Sequence, residues 1–146
     1  MADKQPDIQV FNETDSDIPL SSSTFDSTAT TLSKSEDCSF NFVEIVYVDQ
    51  EEIVRINKEH LERDYITDII TFRYDNSEDN SAIEGTMFCC APRIREQAKE
   101  LNESPEKEFL RIYIHGLLHL AGYEDKTNDQ KQQMTAREDF YLNEVE

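Results

Sequence analysis

The segment from His115 to Asp125 constrains this chain more than any other, and it reads His-Gly-Leu-Leu-His-Leu-Ala-Gly-Tyr-Glu-Asp. Side chains four positions apart share one face of a helix, so His115 and His119 can bind one metal ion. Gly122 can end that helix, because glycine adopts the left-handed backbone conformation at low cost. The carboxylate of Asp125 can then join the two imidazoles. Such a set is common at catalytic zinc sites, which keep a fourth position open for water.

The histidine pair also has an ordinary interpretation, since histidines at this spacing occur in many helices without a metal. Three neighbouring features favour the metal site: the apolar surroundings, the glycine that follows the second histidine, and the acidic pair Glu124 and Asp125. The residue after the first histidine is Gly116, where the zinc-protease motif H-E-x-x-H has its glutamate general base. The sequence therefore disfavours a peptidase that uses this motif.

Composition narrows the class of protein. The chain has 146 residues with 32 acidic and 14 basic side chains, a net charge of -18. This charge fits poorly with clamping duplex nucleic acid mainly through a broad basic surface. No apolar run is long enough for a membrane span, and the N-terminus does not resemble a signal peptide. Cys38, Cys89 and Cys90 have no metal-type spacing, so we expect free thiols in the cytoplasm.

The chain divides by composition near residue 40. Residues 1–39 are rich in Asp, Ser and Thr, and two interpretations remain open for them. They form either a disordered polar tail or a strand near residues 8–11 followed by a helix capped by serines. We treat residues 40–146 as one domain.

The pattern of residues 40–146 predicts the order β-α-β-β-α-α-α. Strands are expected at 42–48, 67–74 and 83–90, where β-branched and apolar residues concentrate. Helices are expected after Asp49, Pro92, Ser104 and Thr127, each of which suits a helix start. This order predicts an α+β fold in which a small mixed β-sheet packs on a buried helix that carries both histidines.

Smaller features complete the pattern. On the first of these helices, Ile53, Ile56 and Leu61 are expected to form one apolar face, and His60 to be a surface or boundary residue. Gly85 should mark a bulge or a close approach within its strand. The adjacent cysteines of the same strand should face opposite sides of the sheet.

The histidine segment resembles the signature H-G-x-L-H-L-x-G-Y-D-H of the YbeY family, bacterial endoribonucleases of rRNA maturation. The segment Thr-Asp-Ile-Ile-Thr-Phe at 67–72 is similar to a second family segment, T-D-V-L-S-F. Gly85 and Thr86 resemble a G-D pair on the next strand. Order and spacing agree over about residues 40–146.

The chain departs from the family pattern at four places. Asp125 replaces the third metal-binding histidine, a replacement that zinc chemistry accepts. Glu124 stands where the family has aspartate. The family arginine aligns with Leu61, and the aspartate of the G-D pair is Thr86.

The resemblance implies a zincin-like, YbeY-like domain with one Zn²⁺ or another divalent metal held by His115, His119 and Asp125. It implies an endoribonuclease that cleaves single-stranded RNA in rRNA maturation and ribosome quality control. Arg63 or Arg73 could neutralise a phosphate. The resemblance identifies no general base, and Glu124 is a candidate only because it is next to Asp125.

Ribosomal proteins or a ribosome-associated GTPase are the expected partners, besides rRNA. DNA and membranes are not expected as partners. Two alternatives remain: a metal-dependent hydrolase of a non-RNA substrate, and a non-catalytic metal-binding module of the ribosome.

Overall fold

The secondary structure follows the predicted order, with a strand and a helix added in front. The computed structural model describes residues 6–62, 65–76 and 79–145. The elements found there are β1 (Ile8–Asn12), α1 (Ser22–Glu36), β2 (Phe40–Val48), α2 (Gln50–Leu61), β3 (Ile69–Arg73), β4 (Ile83–Cys90), α3 (Ala91–Glu100), α4 (Pro105–Leu120) and α5 (Asn128–Val145).

The strands form one mixed sheet in the order β1-β2-β4-β3. Strands β1, β2 and β4 run parallel, while β3 runs antiparallel to β4. The sheet and its helices confirm the predicted α+β class. No helix within the described ranges is both long and apolar enough to cross a membrane.

Helix α4 lies at the centre of the larger core. It contacts β3 and β4 on one side and α1, α3 and α5 around it. Gly116 permits this close packing: a Cβ there would lie 2.7 Å from Met87 Sδ and 2.8 Å from Ile69 Cδ1. The predicted buried helix is therefore confirmed. Gly116 places the histidine helix directly against the sheet.

The predicted helix starts are also confirmed. Asp49 Oδ1 accepts a hydrogen bond from the backbone N–H of Glu52 at 3.1 Å. Ser104 caps α4 in the same way. Thr127 and Gln130 bond reciprocally at the start of α5, as the capping box requires.

For residues 1–39, the described part adopts the strand and helix of the second interpretation. Ser21 caps α1 by accepting a hydrogen bond from the backbone N–H of Thr24. Strand β1 pairs with β2, and α1 buries Phe25, Ala29 and Leu32 in the core around α4. These contacts explain why a weakly patterned segment is ordered.

The far side of the sheet is covered by α2, and here one prediction was wrong. Ile53 and Ile56 are buried, but Leu61 is 41% exposed. At 3.6 residues per turn, Leu61 lies about 80° around the helix axis from Ile53. Ile56 is displaced from Ile53 in the other direction, so Leu61 falls outside the face that Ile53 and Ile56 share. Asn57 takes the buried position instead.

The remaining fold predictions concern β3 and β4. Strand β3 is shorter than the predicted 67–74. Gly85 marks a close approach, because a Cβ there would lie 2.7 Å from the carbonyl oxygen of Phe72. Cys89 and Cys90 pack into separate clusters on opposite faces, and both are free thiols, as is Cys38.

Candidate metal centre

The two histidines lie in the last turns of α4, and their rings converge. His115 and His119 have ring centroids 4.5 Å apart, and their Nε2 atoms are separated by 3.0 Å. The helical spacing explains this pairing, because positions i and i+4 are neighbours on one helix face.

The loop after α4 supplies the carboxylate. Gly122 has φ +110°, a left-handed conformation that turns the chain after the helix. Asp125 Oδ2 then lies 3.5 Å from Nε2 of His115 and 3.5 Å from Nε2 of His119. The three residues form a group that could hold a metal ion.

The spacing of the two Nε2 atoms and Asp125 Oδ2 fits a metal ion with tetrahedral coordination. With metal–ligand bonds of about 2.0–2.1 Å, neighbouring ligand atoms of a tetrahedral site are separated by about 3.3 Å. The observed separations are 3.0 Å between the two nitrogens and 3.5 Å from each nitrogen to the oxygen. The donor set of two imidazoles and a carboxylate therefore fits zinc in both geometry and chemistry.

The partners of the Nδ1 atoms orient both rings. His115 Nδ1 lies 2.6 Å from Glu138 Oε2, and His119 Nδ1 lies 3.0 Å from the carbonyl oxygen of Tyr123. A carboxylate and a carbonyl only accept hydrogen bonds, so each ring donates from Nδ1 and turns its Nε2 lone pair inward. When both rings are neutral, their two Nε2 lone pairs face each other and repel, and a bound cation would relieve this repulsion.

The pKa values of the two histidines are shifted in opposite directions. Burial disfavours protonation of His115, but its hydrogen bond to Glu138 and the charge of Glu138 outweigh burial and raise its pKa. Burial and the neighbouring His115 lower the pKa of His119. Metal binding requires both rings to be deprotonated at Nε2, so protons compete with the metal mainly at His115.

A hydrogen-bonded cluster ties the loop to α1. The Tyr123 hydroxyl donates to Glu36 Oε1 at 2.7 Å. Glu36 Oε2 accepts from Arg137 Nη2 at 2.6 Å and also from the hydroxyl of Tyr141. The loop that carries Asp125 is thus linked through Tyr123 to both α1 and α5.

Two cavities flank the group, and Asp125 lines both. The larger, of about 530 Å³, includes His115, Asp68, Gln97 and Glu108 in its wall. Gln97 Nε2 donates to Asp68 Oδ2 and to Glu108 Oε2, each at 3.2 Å. Burial raises the pKa of Glu108, and this wall is rich in carboxylates.

The smaller cavity, of about 290 Å³, lies on the side of His119. Arg73, Lys126 and Glu124 line it together with Asp125. This side of the metal group therefore carries two cationic side chains, Lys126 and Arg73, and two carboxylates, Glu124 and Asp125.

Two of the three predicted catalytic residues, Arg73 and Glu124, lie in the part of the chain that the structure describes. Arg73 Nε donates to Asp75 Oδ1 at 2.8 Å, and its Nη1 donates to the carbonyl oxygen of Leu120 at 2.9 Å. Arg73 thereby holds the end of α4. Glu124 is exposed and outside the group of three ligands. Arg63 lies outside the described residues.

Thr86, at the position of the family aspartate, is turned away from the histidines. Its neighbour Met87 packs toward Gly116 of α4, and side chains alternate along a strand. Thr86 Oγ1 instead donates to Glu44 Oε1 at 3.0 Å on the other face of the sheet.

Sequence reasoning missed Glu138 and Arg111. Arg111 Nη1 donates to Glu138 Oε1 at 3.0 Å, which leaves Oε2 for His115. Arg111 could have been noticed one helical turn before His115. Glu138 gave no local signal, because only the packing of α5 on α4 brings it to the site.

Comparisons with known proteins agree with this geometry. The sequence profile described as Endoribonuclease YbeY matches residues 4–146. Endoribonuclease YbeY of Cytophaga hutchinsonii is 39% identical over 112 residues, covering 77% of each chain. Endoribonuclease YbeY of Chlorobium limicola is 38% identical over 136 residues, covering 93% of this chain and 91% of that one.

A solved structure shares the fold. The solution structure of TM1509 from Thermotoga maritima superposes with a TM-score of 0.61 at 26% identity, covering 94% of this chain and 88% of that one. Profile, relatives and fold agree over nearly the whole length, and we conclude that the chain belongs to the YbeY family.

Proposed function

We propose that this protein is a zinc-dependent endoribonuclease that cleaves single-stranded RNA in rRNA maturation and ribosome quality control. The observation that carries the proposal is the convergence of His115, His119 and Asp125 in a chain whose relatives are named Endoribonuclease YbeY. That shared name favours RNA over the other substrates considered above. The proposed cellular setting is the cytoplasm, with ribosomal proteins or a ribosome-associated GTPase as partners.

The ligand roles follow from the orientation of the side chains. His115 and His119 would bind one Zn²⁺ per chain through Nε2, and Asp125 would bind it through Oδ2. When bound, the ion lowers the pKa of a water molecule and polarises a phosphodiester oxygen. Asp125 makes the ligand set one charge more negative than three neutral imidazoles would.

The two cavities suggest how RNA lies across the site. Lys126 and Arg73 would attract a phosphate to the side of His119, because two cationic side chains face two carboxylates there, whereas Arg93 and Lys131 of the opposite cavity face five carboxylates. Arg73 already bonds Asp75, so its main contribution is to hold the end of α4 beside that phosphate. Glu124 lines the same cavity as His119 and Asp125, and it is the proposed proton acceptor.

The test joins metal analysis to an RNA cleavage assay on His119→Ala. We expect purified protein to carry about one zinc per chain and to cleave unstructured rRNA fragments, and the variant to lose both properties. His60→Ala is the matched control, because His60 is an exposed histidine on α2, outside the ligand group.

Three results would refute the proposal. They are a wild-type protein without metal after preparation free of chelators, cleavage by His119→Ala at the wild-type rate, and turnover of peptides with RNA left intact. Metal binding and co-sedimentation with ribosomes without cleavage would instead identify a non-catalytic module.

A further inference from the structure

We infer that Glu138 is a positioning residue of the metal centre, which makes His115 the stronger of the two histidine ligands. The carboxylate fixes the His115 ring with its hydrogen on Nδ1 and directs negative charge through the ring toward the ion. This inference rests on the metal site of the proposed function.

The two carboxylate oxygens of Glu138 contact different partners. Oε2 lies 2.6 Å from His115 Nδ1, and Oε1 accepts from Arg111 Nη1 at 3.0 Å. The residue is only 7% exposed, so water competes little for either contact. Glu138 is not one of the three ligands, and its place behind the ring leaves Nε2 free for the ion.

The two histidines differ in the partner of Nδ1. His119 donates its Nδ1 hydrogen to an uncharged carbonyl oxygen at 3.0 Å, a longer contact than the one His115 makes with a carboxylate. A carboxylate behind an imidazole raises the basicity of the metal-binding nitrogen. Removing such a partner typically weakens metal affinity by about 10–100-fold. His115, with a carboxylate behind its ring, is therefore the stronger metal ligand, and His119, with a carbonyl oxygen behind its ring, is the weaker one.

Arg111 makes the buried carboxylate possible. It lies one helical turn before His115 on the same face of α4, and it also donates to Asp139 Oδ1 at 2.8 Å. A buried carboxylate without a partner is strongly unfavourable, so the contact with the guanidinium offsets the cost of burying Glu138. Arg111, Glu138 and His115 therefore form one chain of contacts that ends at the metal group.

The experiment compares Glu138→Gln with Asp139→Asn. Both changes replace a carboxylate by an amide on α5, and both carboxylates bond Arg111, but only Glu138 contacts His115. Zinc affinity, measured by competition with a chromophoric chelator, should fall at least about 10-fold in Glu138→Gln. It should change less than about 2-fold in Asp139→Asn, since that residue is exposed and remote from the ion. Equal zinc affinities of wild type and Glu138→Gln would overturn the inference.

A second measurement needs no variant, so a folding failure leaves the inference testable. Nitrogen-15 NMR of the histidine side chains in the wild-type protein should show His115 with its hydrogen on Nδ1, before and after addition of one equivalent of zinc. A neutral His115 ring with its hydrogen on Nε2 in the zinc-free protein would overturn the inference. Wild-type protein that binds no zinc refutes the proposed function itself, whereas normal zinc binding by Glu138→Gln refutes only the role of Glu138.

Discussion

The close approach at Gly85 yields a prediction that can be worked out from the structure. In Gly85→Ala the new Cβ would lie 2.6 Å from Leu120 Cδ2 and 2.7 Å from the carbonyl oxygen of Phe72. Leucine side chains can rotate, but the carbonyl belongs to β3, which pairs with β4 at this point. Overpacking typically costs about 1–3 kcal/mol. Because backbone must move, we expect the upper part of that range, about 2–3 kcal/mol.

Urea unfolding and thermal melting would measure the loss. For a chain of this size, about 2–3 kcal/mol corresponds to a melting temperature lower by about 4–12 °C. Leu120 ends α4 directly after His119, so zinc affinity should fall as well. A measurement of zinc affinity in Gly85→Ala therefore tests whether the packing of Leu120 against the sheet helps to position His119.

Gly116→Ala is the matched control for Gly85→Ala. The three atoms nearest to its new Cβ would be ends of the Met87 and Ile69 side chains, which can move, and none of them is backbone. Alanine also favours the helix over glycine by about 1 kcal/mol. The loss of stability should therefore be smaller than in Gly85→Ala. Wild-type stability in Gly85→Ala, or a larger loss in Gly116→Ala, would refute the argument.

Two further predictions concern the cluster at the end of α1. Burial raises the pKa of Glu36, but hydrogen bonds from two tyrosines and Arg137 outweigh it and hold the pKa below 4.5. The ionised carboxylate contributes fully to the free energy of unfolding above that pH, and the contribution is lost as the pH falls through the folded-state pKa. In Glu36→Gln, the free energy of unfolding measured with urea should therefore fall less steeply as the pH is lowered. Unchanged slopes would contradict the assignment. Burial, with Glu36 and Asp37 nearby, raises the pKa of Cys38 to about 11. At pH 8 its thiol should react with Ellman's reagent far more slowly in the folded protein than in urea, and equal rates would count against this.

Local patterns predicted α4 and the ligand pair, because helix periodicity and glycine turns are properties of neighbouring residues. The same reasoning placed Asp125 within reach, since only a short loop separates it from His119. It failed for Leu61, where the choice of buried residue depends on the angle at which α2 lies on the sheet. Glu138 was out of reach for a related reason: a residue on α5 becomes part of the site only when two helices pack.

The dependence of the metal group on α5 has a consequence for the order of events during synthesis. His115, His119 and Asp125 leave the ribosome before Glu138 and Arg137 do. Until α5 follows, the His115 ring lacks its carboxylate, and Glu36 lacks the guanidinium that helps hold it beside Tyr123. A chain whose α5 has not yet formed would therefore bring the three ligand side chains together without the carboxylate behind His115, and it would hold a metal ion about 10–100-fold more weakly than the complete fold.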